Sequence, residues 1–522
     1  MRIMKTITKL YILCFILAFA GSCTDLDENP VGLLAPEGYF ADADDVQSAI
    51  NGCYGSMASS LYYGTSYPVA LVMMGDMVDI GLDFASGYAD FNRFSVTPTN
   101  SYPLNIWKAC YGVLGIANTA IYGVSQINES DGVKNRLEAE ARFVRALVYY
   151  DLVRLYGDIP YLDNVDADIN AVTKTAAADV YAKIVSDLEF AKEYLPTQHP
   201  DNDCRTRPSK GTAATVLASV QLTSGNWQEA YNNAKWVIDN AGSLNYALEN
   251  DFQDLFRSDK QDYSKEIIFG TDFLGNMRGD NDVNSFTLEN DASLGAIYGV
   301  EGASKPYLGW SMCVPSLKVY QTWDDRDYRK KVSFTDTIMY KDGLRDYTRF
   351  QYIQRPHAAK FDRFCGVRKS STAGWRSDMN HTIFRYAEVL LIAAEAGNEI
   401  GKTAEAVGYV NEVRARARKG GVINFEGSGY GAYAASPYPA NVSSGISQGD
   451  FRNLVLEERR LELAFEFKRW YDIKRRDLGD QVFSAGGLEP QPDFNKSKHY
   501  LIPLPQTEID MCPNLKPQNT GY

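Results

Sequence analysis

Two stretches of the sequence read as pairs of amphipathic helices, and they constrain the fold more than any other feature. Residues 210–240 predict two helices on either side of Ser224-Gly225-Asn226, and residues 385–417 predict a second pair that turns at Gly401. Small residues recur where two helices must approach closely, and large apolar residues recur between them. One such pair cannot bury its own apolar face, so several pairs must stack, as in tetratricopeptide repeats of about 34 residues.

Helical periodicity extends beyond these two pairs. Further helices are predicted at residues 42–62, 106–127, 138–156 and 178–195, and Gly157 ends the third of them. With 45% hydrophobic residues, a chain of 522 residues can bury a large core. We therefore expect a mainly α-helical protein, with a tetratricopeptide-like helical-repeat scaffold, large irregular loop regions and few short strands.

Residues 251–380 differ in character from the helical blocks on either side. This segment is rich in Gly, Asn, Asp and aromatic residues, and it contains short strand-like runs such as 266–270. Long connections without regular structure are uncommon in compact domains and often carry function. We expect a helical-repeat region at 41–250, a loop-rich ligand-binding region at 251–380, and a C-terminal helical region with an extended tail at 381–522.

The first 22 residues are typical of a cleaved export signal. A basic start precedes an apolar run from Leu10 to Phe19, which is shorter than the roughly 20 residues that cross a bilayer. Small residues follow at 20–22, and Cys23 comes next, as in bacterial lipoprotein signals. We expect acyl chains on Cys23 to anchor the protein in a membrane, with residues 23–40 as a lipidated tether. A plain secretory signal, with Cys23 unmodified, is the alternative.

Charge and composition exclude several functions. The formal net charge is −13, and loss of the basic signal makes the mature chain more acidic still. An acidic surface repels phosphate backbones, so nucleic acid is not an expected partner. The four histidines are not spaced as in zinc motifs, and neither a metal nor a cofactor is expected.

The cysteines do not form the close pairs that metal sites or small disulfide scaffolds use. Beyond the signal and Cys23, the remaining cysteines are Cys53, Cys110, Cys204, Cys313, Cys365 and Cys512. An even number in an exported protein permits disulfides. Buried free thiols are nevertheless expected, because Cys53 and Cys110 lie inside apolar helical stretches.

Four segments, at residues 140–146, 156–160, 451–478 and 499–522, resemble the SusD/RagB family. The resemblance implies an outer-membrane lipoprotein of Bacteroidetes that faces the outside of the cell. It also implies that the protein binds a glycan or another nutrient and delivers it to a SusC-like TonB-dependent transporter. Phe467 departs from the family pattern, since many members have Gly there, and Thr520 stands where many have Pro.

A binding protein, rather than an enzyme, is the function that this resemblance favours. The sequence contains no GxSxG motif and no Gly-rich phosphate loop. Two alternatives remain: a glycan-degrading surface enzyme, which would release new reducing ends, and a protein-interaction scaffold without a ligand of its own.

Three glutamates in the C-terminal segment admit a structural and a catalytic interpretation. Glu458, Glu462 and Glu466 are spaced to share one face of a helix, so basic neighbours must offset their repulsion. Candidate partners are Arg414, Arg416, Arg418, Arg459, Arg469, Arg475 and Arg476. Glycosidase carboxylates face each other across the sugar, whereas carboxylates on one helix face point the same way. The pattern therefore favours an ion-pair lattice that attaches this helix to the repeats.

Two loops contain the residue types that a glycan site requires. Sugars present C–H faces and hydroxyl rims, which bind aromatic rings flanked by polar side chains. The loops span residues 76–94 and 297–310. The candidate ligand-binding residues are Tyr88, Phe91, Asn92, Arg93, Tyr298, Tyr307 and Trp310.

Overall fold

Helices form most of the described chain. The computed structural model describes residues 39–82, 87–165, 171–198, 205–273, 313–340, 343–350, 353–360, 379–423 and 431–522. The helices are α1 (Ala43–Met57), α2 (Ser66–Met73), α3 (Ala89–Asn92), α4 (Ser101–Gln126), α5 (Asp131–Tyr156), α6 (Ala177–Tyr194), α7 (Lys210–Thr223), α8 (Trp227–Asp239), α9 (Ala241–Leu244), α10 (Leu317–Thr322), α11 (Tyr328–Ser333), α12 (Tyr386–Glu399), α13 (Thr403–Ala417), α14 (Gln448–Glu462), α15 (Arg469–Arg475), α16 (Gly479–Val482), α17 (Lys496–His499) and α18 (Gln506–Met511).

The long helices stack in sequence order. Helix α1 packs on α4, α4 on α5, α5 on α6, α6 on α7, and α7 on α8. The stack continues from α8 to α12, which also packs against α13 and α14. This arrangement confirms the predicted helical-repeat scaffold. Residues 42–522 form one unit, and the main hydrophobic core draws on all three predicted regions.

Small residues set the spacing between neighbouring helices, as the sequence predicted. Ala214, Ala230 and Ala394 are fully buried within the stack. At Gly397, on the face of α12 toward α8, a Cβ atom would lie 3.3 Å from the ring of Tyr231. A side chain at this position would therefore force the Tyr231 ring to shift by a few tenths of an ångström.

The first predicted helix is shorter than expected. It was predicted over 42–62 but ends at Met57. Tyr62 and Tyr63 instead turn into the core, where their hydroxyls donate to Asp151 Oδ2 at 2.7 and 2.6 Å. Because a buried carboxylate needs hydrogen-bond donors, this contact is favoured over five further helical residues.

Within the described ranges the strands are short and pair into antiparallel two-stranded ribbons. They are β1 (Val78–Ile80), β2 (Ile267–Thr271), β3 (Cys313–Pro315), β4 (Phe334–Thr335), β5 (Thr337–Tyr340), β6 (Gly343–Asp346), β7 (His357–Ala358), β8 (His381–Arg385), β9 (Gly421–Ile423) and β10 (Gly431–Tyr433). The pairs are β1 with β3, β2 with β8, β4 with β7, β5 with β6, and β9 with β10.

The three glutamates of the C-terminal segment lie in a buried ion-pair lattice. Glu462 is fully buried, and its carboxylate accepts from Arg329 at 3.0 Å, from Arg385 at 2.7 Å and from Arg416. Burial by itself would raise the pKa of Glu462, but the three guanidinium groups hold it well below its usual value. Glu458 accepts from Arg329 and Arg414, each at 2.7 Å. The lattice therefore connects α14 to α11, β8 and α13.

Part of the predicted lattice was wrong. Glu466 lies beyond the end of α14, in a turn, yet it still binds Arg385 at 2.6 Å and Lys360 at 2.7 Å. Four of the proposed partner arginines pair elsewhere: Arg459 with Asp472, Arg469 with Asp76, Arg475 with Glu395 and Asp472, and Arg476 with Glu399. A fifth, Arg418, donates to the carbonyl of Pro439.

The turn after α14 accounts for one departure from the SusD/RagB pattern. Phe467 has a φ of +62°, which lies in the left-handed region that glycine favours. Its ring stacks on that of His381, with centroids 4.8 Å apart. The aromatic contact offsets the strain of a side chain at this position.

Two further sequence expectations concern thiols and membrane spans. Cys53 and Cys110 are buried free thiols, as predicted, and burial raises the pKa of Cys53 to about 12. Among the described helices, none combines the length and hydropathy that a bilayer span requires.

Candidate functional site

The ribbon pairs β1, which lies in the first loop that the sequence singled out, with β3, which follows the second loop in sequence. Ile80 pairs with Cys313 and Val78 with Pro315, in antiparallel register. The chain leaves β1 toward Tyr88 at the end of the ribbon where the segment containing Trp310 enters β3. The first candidate segment is therefore connected by backbone hydrogen bonds to a strand that lies more than 200 residues away in sequence.

Three of the four candidates after β1 are buried. The Tyr88 ring is fully buried, and its hydroxyl donates to the carbonyl of Leu82. Phe91 is also fully buried, in an edge-to-face contact with Tyr102. In this conformation these two rings offer no face to a ligand. Arg93, by contrast, is exposed.

Asn92 is buried as well and fixes the ribbon in place. Its side-chain nitrogen donates to the carbonyls of Met73 and Val78, at 3.3 and 3.1 Å. Its side-chain oxygen accepts from Gln491 Nε2 at 3.2 Å. This single amide therefore connects α2, β1 and the C-terminal region, which indicates a positioning role.

An ion pair lies beside the ribbon. Asp79, at the centre of β1, accepts from Arg355 Nη1 at 2.6 Å. The two side chains retain 26% and 30% of their exposure, so both are held in place and still reach solvent. A fixed carboxylate and a fixed guanidinium together offer acceptors and donors, as sugar hydroxyls require.

A C-terminal segment packs against the same ribbon. The Ser316 backbone N–H donates to the carbonyl of Met77, and its hydroxyl donates to that of Leu488, both at 2.9 Å. The neighbouring Glu489 carboxyl is half-buried. Its partial burial and the negative charge of Asp79 raise its pKa to about 7.

The other sequence-predicted sites fall outside the described residues. These are Tyr298, Tyr307 and Trp310 in the second loop, together with Cys23. Their assignments stay predictions. Among the described residues, no cluster of three or more His, Cys, Asp or Glu side chains is arranged to hold a metal ion.

Sequence reasoning did not single out the polar groups beside the ribbon. Asp79 lies within the predicted loop, but Arg355 is 276 residues away from it in sequence. Glu489 belongs to a third segment, within the predicted C-terminal region at 381–522. No spacing or motif relates these positions. Arg355 reaches the ribbon through its ion pair with Asp79, and the segment of Glu489 reaches it through the hydrogen bond from Ser316 to Leu488.

Two family models cover much of the chain. The model described as the SusD family matches residues 314–522. The model described as "starch-binding associating with outer membrane" matches residues 57–222. The first match includes Arg355 and Glu489, and the second includes Asp79.

Similar proteins span the full length of the chain. SusD-like protein P2 of Formosa agariphila is 43% identical over 528 residues, which cover 98% of this chain and 99% of that protein. The solved structure of a SusD homolog from Bacteroides thetaiotaomicron has a TM-score of 0.77 at 22% identity, covering 93% of this chain and 98% of that one. Surface glycan-binding protein A from the same species, solved in complex with laminarihexaose, has a TM-score of 0.73 at 20% identity, covering 91% and 99%.

Proposed function

Because the chain belongs to the SusD family, we propose that it is a surface lipoprotein that binds a glycan and delivers it to a SusC-like TonB-dependent transporter in the outer membrane. The lipid anchor is Cys23, and residues 23–40 are the tether that leads to the folded unit. The protein binds its ligand without altering it.

The observation that carries the proposal is the ribbon in which β1 of the first candidate loop pairs with β3. A glycan site needs ring platforms and polar groups held still on a rigid support. The ribbon is fixed by Asn92, Ser316 and the pairing of its own strands. Asp79 and Arg355 present half-exposed polar groups beside it. The solved complex of surface glycan-binding protein A with laminarihexaose shows that a protein of this fold can bind a neutral glycan.

The direct test is calorimetry with laminarihexaose, maltohexaose and a panel of other neutral and acidic oligosaccharides. We expect one class of oligosaccharide to bind and Asp79→Asn to weaken that binding by roughly 10–150-fold, since a charge-assisted hydrogen bond contributes about 1.5–3 kcal/mol. Asp239→Asn is the matched control, because Asp239 is an exposed carboxylate paired with Lys235 on α8. Equal affinity of wild type and Asp79→Asn would remove this ion pair from the site.

Trp310→Ala tests the second loop. We expect a lower affinity for the bound glycan and an unchanged far-ultraviolet circular dichroism spectrum, because a ring that stacks on sugar contributes to binding rather than to the core. Binding isotherms identical to wild type would contradict the assignment of Trp310 to the site.

Anchoring, delivery and the absence of catalysis have separate tests. Labelled fatty acid should attach to the wild type and not to Cys23→Ser. A tagged protein purified from solubilised membranes should retain a barrel transporter. Incubation with the bound glycan should release no new reducing ends, and their appearance would favour the enzyme instead.

A further inference from the structure

A second concave surface lies between α14 and the loop that follows α16. This α14 cleft has a volume of about 570 Å³, within the range of about 300–1,000 Å³ typical of small-molecule sites. Its walls include Glu457 and Arg460 of α14, Asp76 with Arg469, and residues 481, 482, 484 and 486–488. All of its lining residues belong to the described part of the chain.

Two salt bridges hold the polar groups of the cleft in fixed planes. Arg469 donates through Nε and Nη2 to the two oxygens of Asp76, both at 2.7 Å. Arg460 donates through Nε to Glu457 at 2.7 Å and through Nη2 to the other oxygen. Neither salt bridge uses the Nη1 atom of its guanidinium. Paired carboxylate oxygens also keep lone pairs for further donors.

Arg460 has donor capacity that the protein does not use. The residue retains only 6% of its exposure, and its Nη1 has no hydrogen-bond partner among the described residues. Nη1 is buried beneath the surface of the cleft, and a buried donor without a partner is costly, so a ligand oxygen that shifted the Glu457–Arg460 pair enough to meet Nη1 would be favoured. This is the feature that distinguishes the cleft from an ordinary surface depression.

The glycine loop, which contains Gly486 and Gly487, leaves the entrance of the cleft open. At Gly487 a Cβ would lie 1.8 Å from the carbonyl oxygen of Val482, so only glycine fits this turn. At Gly486, which is exposed, a Cβ would approach only Ser484 Oγ, at 4.0 Å. Lys318 donates to the carbonyls of both glycines, at 2.8 and 2.6 Å, and thereby holds the loop in place.

The chemistry of the lining matches a neutral sugar. Two guanidinium groups and two carboxylates balance in charge, and together they offer both donors and acceptors. A sugar hydroxyl is itself both a donor and an acceptor. The cleft is also close to the ribbon, because Asp76 precedes β1 and lies at most about 14 Å along the chain from Ile80.

We propose that the α14 cleft is a second subsite, which binds a neutral glycosyl unit of the same glycan chain that contacts the β1–β3 ribbon. This inference rests on the proposed glycan-binding function. It predicts that affinity rises with the length of the oligosaccharide, and that the gain from length depends on the cleft.

The test compares Gly486→Leu with wild type by calorimetry. The probes are the hexasaccharides laminarihexaose, maltohexaose, cellohexaose and xylohexaose, and the disaccharide of whichever series binds. Leucine fills the mouth of the cleft without adding a ring on which sugar could stack. Gly445→Leu is the matched control, because Gly445 is exposed in another loop and its Cβ would approach only Ser443 Oγ, at 3.7 Å.

We expect Gly486→Leu to weaken binding of the hexasaccharide at least fivefold and to leave the disaccharide unchanged, while Gly445→Leu stays within twofold of wild type for both. Glu457→Gln should also weaken binding of the hexasaccharide. Because Glu457 is exposed and lies outside the glycine loop, this variant shows whether a loss of affinity in Gly486→Leu comes from misfolding of that loop. If both cleft variants bind the hexasaccharide as tightly as wild type does, the proposed subsite is refuted and the proposed glycan-binding function is not. Failure of wild type to bind any hexasaccharide would instead contradict the proposed function for neutral glycans and remove the premise of the subsite.

Discussion

Substitution of Glu462 by glutamine tests whether the buried carboxylates of the C-terminal segment are structural. The carboxylate has no solvent exposure and accepts hydrogen bonds from Arg329, Arg385 and Arg416. Glutamine keeps the shape of the side chain, but it removes the negative charge and points an N–H group toward cations. Three guanidinium groups would then share a site that lacks one of their counter-charges.

The expected loss is about 3–5 kcal/mol in the free energy of unfolding, as found when one partner of a buried ion pair is removed. This agrees with the loss of two or three charge-assisted hydrogen bonds of about 1.5–3 kcal/mol each, partly restored by the amide oxygen. The depressed pKa of Glu462 adds a pH signature. A carboxyl whose pKa is lowered in the folded state stabilises the protein at pH values above its pKa in the unfolded state, about 4.5. This stabilisation is lost as the pH falls toward the pKa of the folded state. The difference in the free energy of unfolding between wild type and Glu462→Gln should therefore become smaller at acidic pH.

Equilibrium unfolding in urea, followed by circular dichroism at neutral pH and at pH 4, measures both effects. Glu138→Gln is the control, because Glu138 accepts from Arg142 at 2.7 Å within α5 and remains partly exposed. That pair should contribute at most about 1 kcal/mol. A loss for Glu462→Gln no larger than that of the control would refute the structural interpretation of the lattice.

Two further predictions concern a titrating carboxyl and a helix contact. The raised pKa of Glu489, about 7, favours its protonated form in the folded protein, so stability should fall as the pH rises from about 4.5 to 7. The Glu489→Gln variant should not show this decrease. At pH 8 it should be more stable than wild type by about 1 kcal/mol, once solvent screening is allowed for. Melting temperatures of the two proteins that change in parallel with pH would contradict this prediction. Gly397→Ala should lower the melting temperature, because its Cβ would press on the ring of Tyr231. Gly408→Ala is the control, because Gly408 is exposed on α13 with no atom near its Cβ position, and this change should raise stability by roughly 0.5–1 kcal/mol. Equal changes in melting temperature for the two variants would show that the contact with Tyr231 is unimportant.

The helical scaffold could be read from the sequence because its signals are local. The periodicity of apolar residues, the small residues between helices and the breaks at Gly225 and Gly401 all act within a few residues of one another. Helix ends were predicted less well. The end of α1 at Met57 depends on Asp151, which binds Tyr62 and Tyr63 from a distant helix.

The choice of ion-pair partners was decided by the tertiary structure. Arg414 and Arg416 pair with the glutamates of α14, as their position on the preceding helix predicted. Arg329 and Arg385 come from segments that the sequence did not relate to α14. Any arginine can satisfy any carboxylate, so the sequence shows how much charge must be neutralised but not which residue does it.

For the candidate site, too, the sequence predicted one part and the tertiary structure decided the rest. From composition and motifs alone came a helical-repeat protein of a recognisable family and two loops rich in rings and polar groups. Only the fold shows that Tyr88 and Phe91 are buried, that β1 pairs with β3, and that Asp79 meets Arg355. The physical reason is distance along the chain: helical periodicity is a property of neighbouring residues, whereas a site assembled across a ribbon depends on contacts between residues hundreds of positions apart.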